Sequence, residues 1–200
     1  MIHQIKPFID KKTKKSLIKY INQDNWITEY KVTQNFEKNF SKFTNSKHCI
    51  VFPNGTITMS SILDCLNLKK NNEVLVSNYT MIATANVVKF VGLKTILVDV
   101  SEKDLCMCPK DLTKKINKNS KVVIYTQMNG RVGQINLIKR ICKKNNLILI
   151  EDSAHAIGSY NNNIHVGNSG IAGSFSFSMP KLITMGQGGA VITNNDKLAK

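Results

Sequence analysis

From His48 onward the chain alternates short β-branched runs with longer segments of mixed polarity, and that alternation narrows the possible folds more than any other feature. The strand-like runs cover residues 48–52, 74–78, 95–100, 122–127, 147–152, 174–177 and 189–193. Most are continuously apolar, as strands covered on both faces are. Residues 56–65, 82–90, 109–116 and 134–145 read as helices, and the first sets Ile57, Met59, Ile62 and Leu63 close to helical spacing. Strand–helix alternation requires crossovers between parallel strands. The expected fold is therefore α/β, a three-layer domain around a mostly parallel, roughly seven-stranded sheet. No helix separates the last two runs, which admits one hairpin or antiparallel strand.

The N-terminal stretch follows another pattern. Residues 11–22 read as a helix with Leu17, Ile18 and Ile21 on one face and Asp10 as its N-cap. Asn25-Trp26-Ile27-Thr28 follows, then a second amphipathic stretch at 32–43. Residues 1–47 are read as an arm and helices packed on the sheet domain, and residues 48–200 as that domain. Trp26 and Thr28 are left out of the candidate site, because a loop tryptophan more often packs than binds.

Composition excludes several classes. With 42% hydrophobic and 20% charged residues, the chain matches neither a disordered nor a fibrous composition. The apolar runs at 122–126 and 171–177 fall far short of the ~18 residues of a membrane span. Residues 1–12 lack the apolar stretch of a secretory signal. The net charge of +15 is almost all lysine, with Arg131 and Arg140 the only arginines. Arginine is the usual instrument of bidentate base and phosphate recognition, so the lysines are read as solvated helix faces and no nucleic-acid partner is expected. Five cysteines without a CxxC pair read as structural thiols of a reducing, cytoplasmic compartment, with Cys49 and Cys65 expected in apolar surroundings.

Three segments carry chemistry. In Phe52-Pro53-Asn54-Gly55-Thr56 a strand turns through glycine into a helix, whose first amides and the Thr56 hydroxyl would suit a phosphate; an ordinary turn fits the same residues. Leu149-Ile150-Glu151-Asp152-Ser153-Ala154-His155 ends a strand in an acid at the carboxyl edge of the sheet, where α/β ligand sites lie. Asp152 there can hold a heterocyclic nitrogen protonated, with His155 in reach of the same ligand, or simply cap a helix. Ser176 and Lys181 flank the end of another strand ahead of Gly186-Gln187-Gly188-Gly189. Lys181 can form a Schiff base if its pKa is lowered, or be one more surface lysine.

Taken in order, these segments resemble fold-type I enzymes that use pyridoxal 5'-phosphate, and more narrowly the DegT/DnrJ/EryC1/StrS sugar aminotransferases. The resemblance also takes in Trp26, Glu37, Ala83-Thr84-Ala85-Asn86, Val98-Asp99-Val100, Phe175-Ser176-Phe177 and Gly188-Gly189-Ala190-Val191. It implies an aspartate aminotransferase-like large domain, with residues 48–200 as its cofactor-binding part. Lys181 would be the catalytic residue, binding the cofactor covalently and moving a proton. Asp152 would pair with the ring nitrogen and His155 would lie near the phenolic oxygen. Gly55, Thr56 and Ser176 would hold the phosphate. The implied reaction passes an amino group from L-glutamate to a nucleotide-linked keto-sugar, in a homodimer. A family branch with His at the lysine position performs dehydration, and Lys181 argues against it.

Three positions depart from the family pattern. Met81 stands where an aromatic side chain usually covers the ring, Gln187 where glutamate is usual, and Leu182 where asparagine is usual. The resemblance implies members about twice this length, so the C-terminal small domain is expected to be absent from this chain. A truncated or degenerate, non-catalytic module is the alternative reading. The expectation is that purified 200-residue chain shows little or no transamination. Glutamate-dependent amination of a keto-sugar nucleotide, followed by product mass, is the check, and measurable turnover would refute it.

Overall fold

The computed structural model describes residues 9–23 and 30–200; Trp26 and Thr28 lie outside them. Its elements in chain order are α1 (Lys11–Ile21), α2 (Tyr30–Thr44), β1 (His48–Phe52), α3 (Gly55–Cys65), β2 (Glu73–Ser77), α4 (Ile82–Phe90), β3 (Lys94–Val98), α5 (Pro109–Lys115), β4 (Ser120–Thr126), α6 (Ile135–Lys144), β5 (Ile148–Asp152), β6 (Tyr160–Asn161), β7 (Ile164–His165), β8 (Ala172–Ser176) and β9 (Gly189–Thr193).

Side chains alternate between the two faces of a strand, so continuously apolar strands must be covered on both. Val74, Val76, Val122, Ile124 and Ile150 pack with Met59, Ile62 and Leu63 of α3 and Val87 and Val88 of α4. Their neighbours Leu75, Val123, Tyr125 and Leu149 pack with Leu112 of α5 and Ile135, Ile138 and Cys142 of α6. The result is the three-layer α/β domain that the apolar runs predict. The seven-stranded sheet has the order β1-β9-β8-β5-β4-β2-β3. Only β9 runs against the rest, antiparallel to both β8 and β1. The other four pairings are all parallel. Hence β1, β2, β4, β5 and β8 all end at one edge of the sheet.

Several sequence expectations need correction. Of the two N-terminal helices, only α2 docks: Phe36 and Phe40 meet Phe177 and Phe175 edge-on, with centroids 5.4 and 5.2 Å apart. Glu37 Oε1 accepts from the Val51 amide at 2.9 Å. Helix α1 buries no residue, and Leu17 and Ile18 are each 58% exposed. Cys65 is exposed, because it faces outward on the last turn of α3. Cys49 and Cys142 are buried, which pushes both thiols up to about 12 and leaves them inert. The run at 95–100 is a strand only to Val98; Val100 makes a single bridge to Met107. The hairpin of β6 and β7 and the short turn at Met128–Gly130 carry no periodicity long enough to read.

Between β5 and β8 the chain is held by one buried carboxylate. Glu151 accepts from Gln127 Nε2 (2.6 Å) and the amides of Gly167 (3.0 Å), Ser169 (2.6 Å) and Gly170 (3.0 Å). Ser153 Oγ donates to Gln127 Oε1 at 2.6 Å, which orients the amide that Glu151 receives. Burial pushes the Glu151 carboxyl above its ordinary value, and the four donors act against that push. Glu151→Gln would set an NH2 group against amide donors and strand at least two of them. Each buried group left unpaired costs about 1–3 kcal/mol, so a loss of about 3 kcal/mol is expected in urea denaturation. A loss within experimental error would remove the carboxylate from this role.

His165 generates a pH dependence. Its Nε2 accepts from the Gly158 amide at 3.0 Å, so the ring proton sits on Nδ1 and is donated to the Val166 carbonyl at 2.7 Å. Burial lowers the pKa of His165, and that of His155 also falls, mainly through burial. The unfolded chain then binds more protons than the folded one below about pH 6.5. Stability is expected to be full above that pH and to decline as pH falls through it. Denaturation midpoints at pH 7.5, 6.5 and 5.5, with imidazole 15N shifts to confirm the tautomer, check this; a flat profile would contradict it.

Candidate active site

The converging strand ends place the chemistry-bearing segments together, as the carboxyl edge of a parallel sheet does. At the end of β1, Asn54 adopts extended backbone and caps α3, its Oδ1 accepting from the amides of Thr56 (3.0 Å) and Ile57 (2.9 Å). That cap takes two amides the sequence reading offered to a phosphate, and leaves Gly55 with the Thr56 and Ser176 hydroxyls facing the same space. Two glycines make the turn possible. A Cβ on Gly55 would come within 2.9 Å of Ser176 Cβ, and one on Gly189 within 2.5 Å of the Asn54 carbonyl carbon. Helix α3 is tied to β8 by Thr58, whose hydroxyl lies 2.6 Å from Ser174 Oγ.

Asp152 closes β5 on the face opposite Glu151. Its Oδ2 accepts from Thr84 Oγ1 at 2.8 Å and its Oδ1 from the Ala154 amide at 3.3 Å. Both donors are neutral, and no ion pair includes Asp152 among the described residues. Burial pushes its carboxyl above the ordinary value; the Thr84 hydroxyl, the Ala154 amide and the charges of His155 and Lys181 pull it back. Lys181 stands on the loop between β8 and β9. Phe177 donates its amide to the Gly188 carbonyl (2.8 Å) and receives the Met185 amide on its own carbonyl (2.9 Å), which closes the loop at its base. Partial burial lowers the Lys181 pKa, with Asp152 acting in the other direction.

All seven residues expected from the sequence, Gly55, Thr56, Met81, Asp152, His155, Ser176 and Lys181, line one cavity of about 450 Å³. Met81 is 60% exposed at its mouth, directly before α4. The sequence reading assigned no role to Thr80, Thr84, Thr126, Met128 or Ser178, which line the same cavity. Thr126 ends a strand and Thr84 lies in a quoted motif, and those positions were the available signals. Gln187 reaches the serines at the rim, its Oε1 accepting from Ser178 Oγ at 3.2 Å.

The donor set fits pyridoxal phosphate. A buried carboxylate with only neutral donors calls for a cation from the cavity, as a protonated ring nitrogen would be. A helix start and two hydroxyls fit a phosphate, and a lysine with lowered pKa fits a carbonyl carbon. No group of three or more His, Cys, Asp or Glu side chains that would suit a metal occurs among the described residues.

Comparison with known proteins agrees with this geometry. GDP-perosamine synthase of Vibrio cholerae is 32% identical over 197 residues, covering 98% of this chain and 53% of that protein. PseC of Helicobacter pylori, an aminotransferase involved in the biosynthesis of pseudoaminic acid, superposes with a TM-score of 0.93 at 28% identity, over 98% of this chain and 53% of its own. The aminotransferase from Psychrobacter cryohalolentis gives 0.89 at 28% identity, over 100% and 51%. The chain thus spans about half the length of these relatives. The sequence profile of one family matches residues 8–200, a span that includes every strand end that builds the cavity, and the chain belongs to that family, the DegT/DnrJ/EryC1/StrS aminotransferase family.

Proposed function

We propose that this chain is the cofactor-binding large domain of a pyridoxal-phosphate-dependent aminotransferase. The reaction would move an amino group from L-glutamate to a nucleotide-linked keto-sugar, yielding a nucleotide-linked amino sugar. The observation that carries the reading is the pairing, in one cavity, of a buried Asp152 that forms no ion pair among the described residues and a Lys181 whose pKa is lowered. Support for a sugar substrate comes from the relatives, one a GDP-perosamine synthase and one an aminotransferase in pseudoaminic acid biosynthesis.

In this reading Lys181 Nζ would anchor the cofactor and would be the group that takes up and returns the substrate's proton. Asp152 would hold the ring nitrogen protonated, and His155, whose pKa burial lowers, would serve the phenolic oxygen. The Gly55 amide and the Thr56 and Ser176 hydroxyls would bind the phosphate, and Met81 would offer the ring a polarizable sulfur in place of an aromatic side chain. Bound there, the cofactor supplies an electron-accepting ring that stabilises negative charge on the carbon bearing the amine.

The rim of the cavity suits a homodimer. Met81, Ile82 and Leu182 are 60, 68 and 66% exposed beside it, an apolar surface that a second copy would cover. No described helix is long and apolar enough to cross a membrane, and the described cysteines are free thiols; both support a cytoplasmic enzyme.

Mixing the protein with pyridoxal phosphate, reducing with borohydride and mapping the modified lysine by mass tests the site. The neutral amine reacts, and a lowered pKa makes it available at lower pH than on an ordinary lysine near 10.4. Labelling at Lys181 is therefore expected near neutral pH, with its inflection below that of the surface lysines, and Lys181→Ala should lose the visible band. Labelling spread evenly over the lysines at every pH would leave the non-catalytic alternative standing.

A further inference from the structure

Asp152 is the end of a chain of hydroxyls. Thr84 Oγ1 donates to Asp152 Oδ2 at 2.8 Å, Thr80 Oγ1 lies 2.9 Å from Thr84 Oγ1, and Thr126 Oγ1 donates to Thr80 Oγ1 at 3.2 Å. The three threonines come from three elements: the end of β4, the loop before α4, and the first turn of α4. Thr84, Thr126 and Asp152 are 1, 4 and 4% exposed.

The direction of the chain follows from proton counting. A hydroxyl has one proton to donate. An ionised Asp152 can only accept, so Thr84 spends its proton there and must accept from Thr80. Thr80 has then spent its own proton and must accept from Thr126. Thr84 and Thr80 each give one bond and receive one, and Thr126 gives one. Running the chain the other way would require Asp152 to carry the proton. Hydrogen bonds in series polarise one another, so the last donor is stronger than an isolated threonine.

We propose that Thr84, backed by Thr80 and Thr126, is a positioning residue that keeps Asp152 anionic without lending it a formal charge. A buried carboxylate is most simply kept ionised by an arginine or lysine, but such a partner would consume the charge. Three neutral hydroxyls offset part of the desolvation and leave the full negative charge for a cation in the cavity. The remaining groups facing Asp152 are the Ala154 amide, His155 and Lys181. The use of that charge rests on the cofactor reading above; the holding of it does not.

The two are separated by measuring the carboxyl directly. In the chain carrying 13C-labelled aspartate and no added cofactor, NMR follows the titration midpoint of Asp152, assigned by its loss in Asp152→Asn. Thr84→Val is expected to raise the midpoint by about one pH unit, a tenfold change in proton affinity. Thr84→Ser should restore the original value, which mere filling of space would not. Thr80→Val leaves the Thr84 contact in place and should raise the midpoint by less. An unchanged midpoint in Thr84→Val overturns the proposal; should that variant fail to fold by circular dichroism, an unchanged midpoint in Thr80→Val does so. Pyridoxal phosphate is then titrated into the same samples by absorbance. About tenfold weaker binding to Thr84→Val alone supports both readings. A raised midpoint with no binding even by the unmodified chain overturns the cofactor reading and leaves the hydroxyl chain supported.

Discussion

Two consecutive carboxylates at the end of β5 meet opposite fates, and the rest of the molecule is arranged around that split. Adjacent residues on a strand face opposite sides of the sheet. Glu151 therefore turns to one side, where four donors immobilise it, while Asp152 turns to the other, toward α4 and the cavity. Glu151 fixes the segment that returns the chain from β5 to β8. The height at which β8 ends decides where Ser176 and the base of the lysine loop lie. A one-residue shift of β5 would exchange the two acids, putting a saturated carboxylate in the cavity and a needed one in the core. The fold and the site share a single register.

The antiparallel β9 extends this dependence to the phosphate turn. Running against its neighbours, it brings its first residue, Gly189, rather than its carboxyl end to that edge of the sheet, opposite both Phe52 and Ser176. With no side chain there, the Asn54–Gly55 turn can lie against the strand. Any other residue would push the start of α3 outward and part Thr56 from Ser176. The reversal of one strand in an otherwise parallel sheet has a steric consequence at the site.

The parts of this arrangement visible in the sequence are those written in contiguous residues. Continuous apolar runs disclosed the seven strands because both sheet faces are covered, and the Asn54-Gly55-Thr56 turn, the strand-end acid and Lys181 stand in local motifs. Contacts between distant residues were not legible. Thr84 and Asp152 are 68 residues apart, and nothing around either announces the other. Glu151 reads as half of an acidic pair until the amides of Gly167, Ser169 and Gly170 are seen to close on it. Periodicity likewise could not tell α1 from α2: both are amphipathic, but only α2 carries phenylalanines that reach the sheet.

Charge in the cavity is governed by burial more than by the molecule's strong positive excess. Most of the 28 basic residues face solvent, where water and salt screen them over roughly 10 Å. Inside, burial disfavours charge on all three titratable groups: it raises Asp152 and lowers His155 and Lys181. Burial alone therefore pushes the acid, the imidazole and the amine each toward its neutral form. The amine is reactive in that form, but the acid is useful only as an anion. An environment that favours the first must therefore make an exception for the second, and hydroxyl donors on Asp152 do that without placing a further charge beside Lys181. The threonines are selective because a hydrogen bond acts on one atom, whereas a charge would act on the whole cavity.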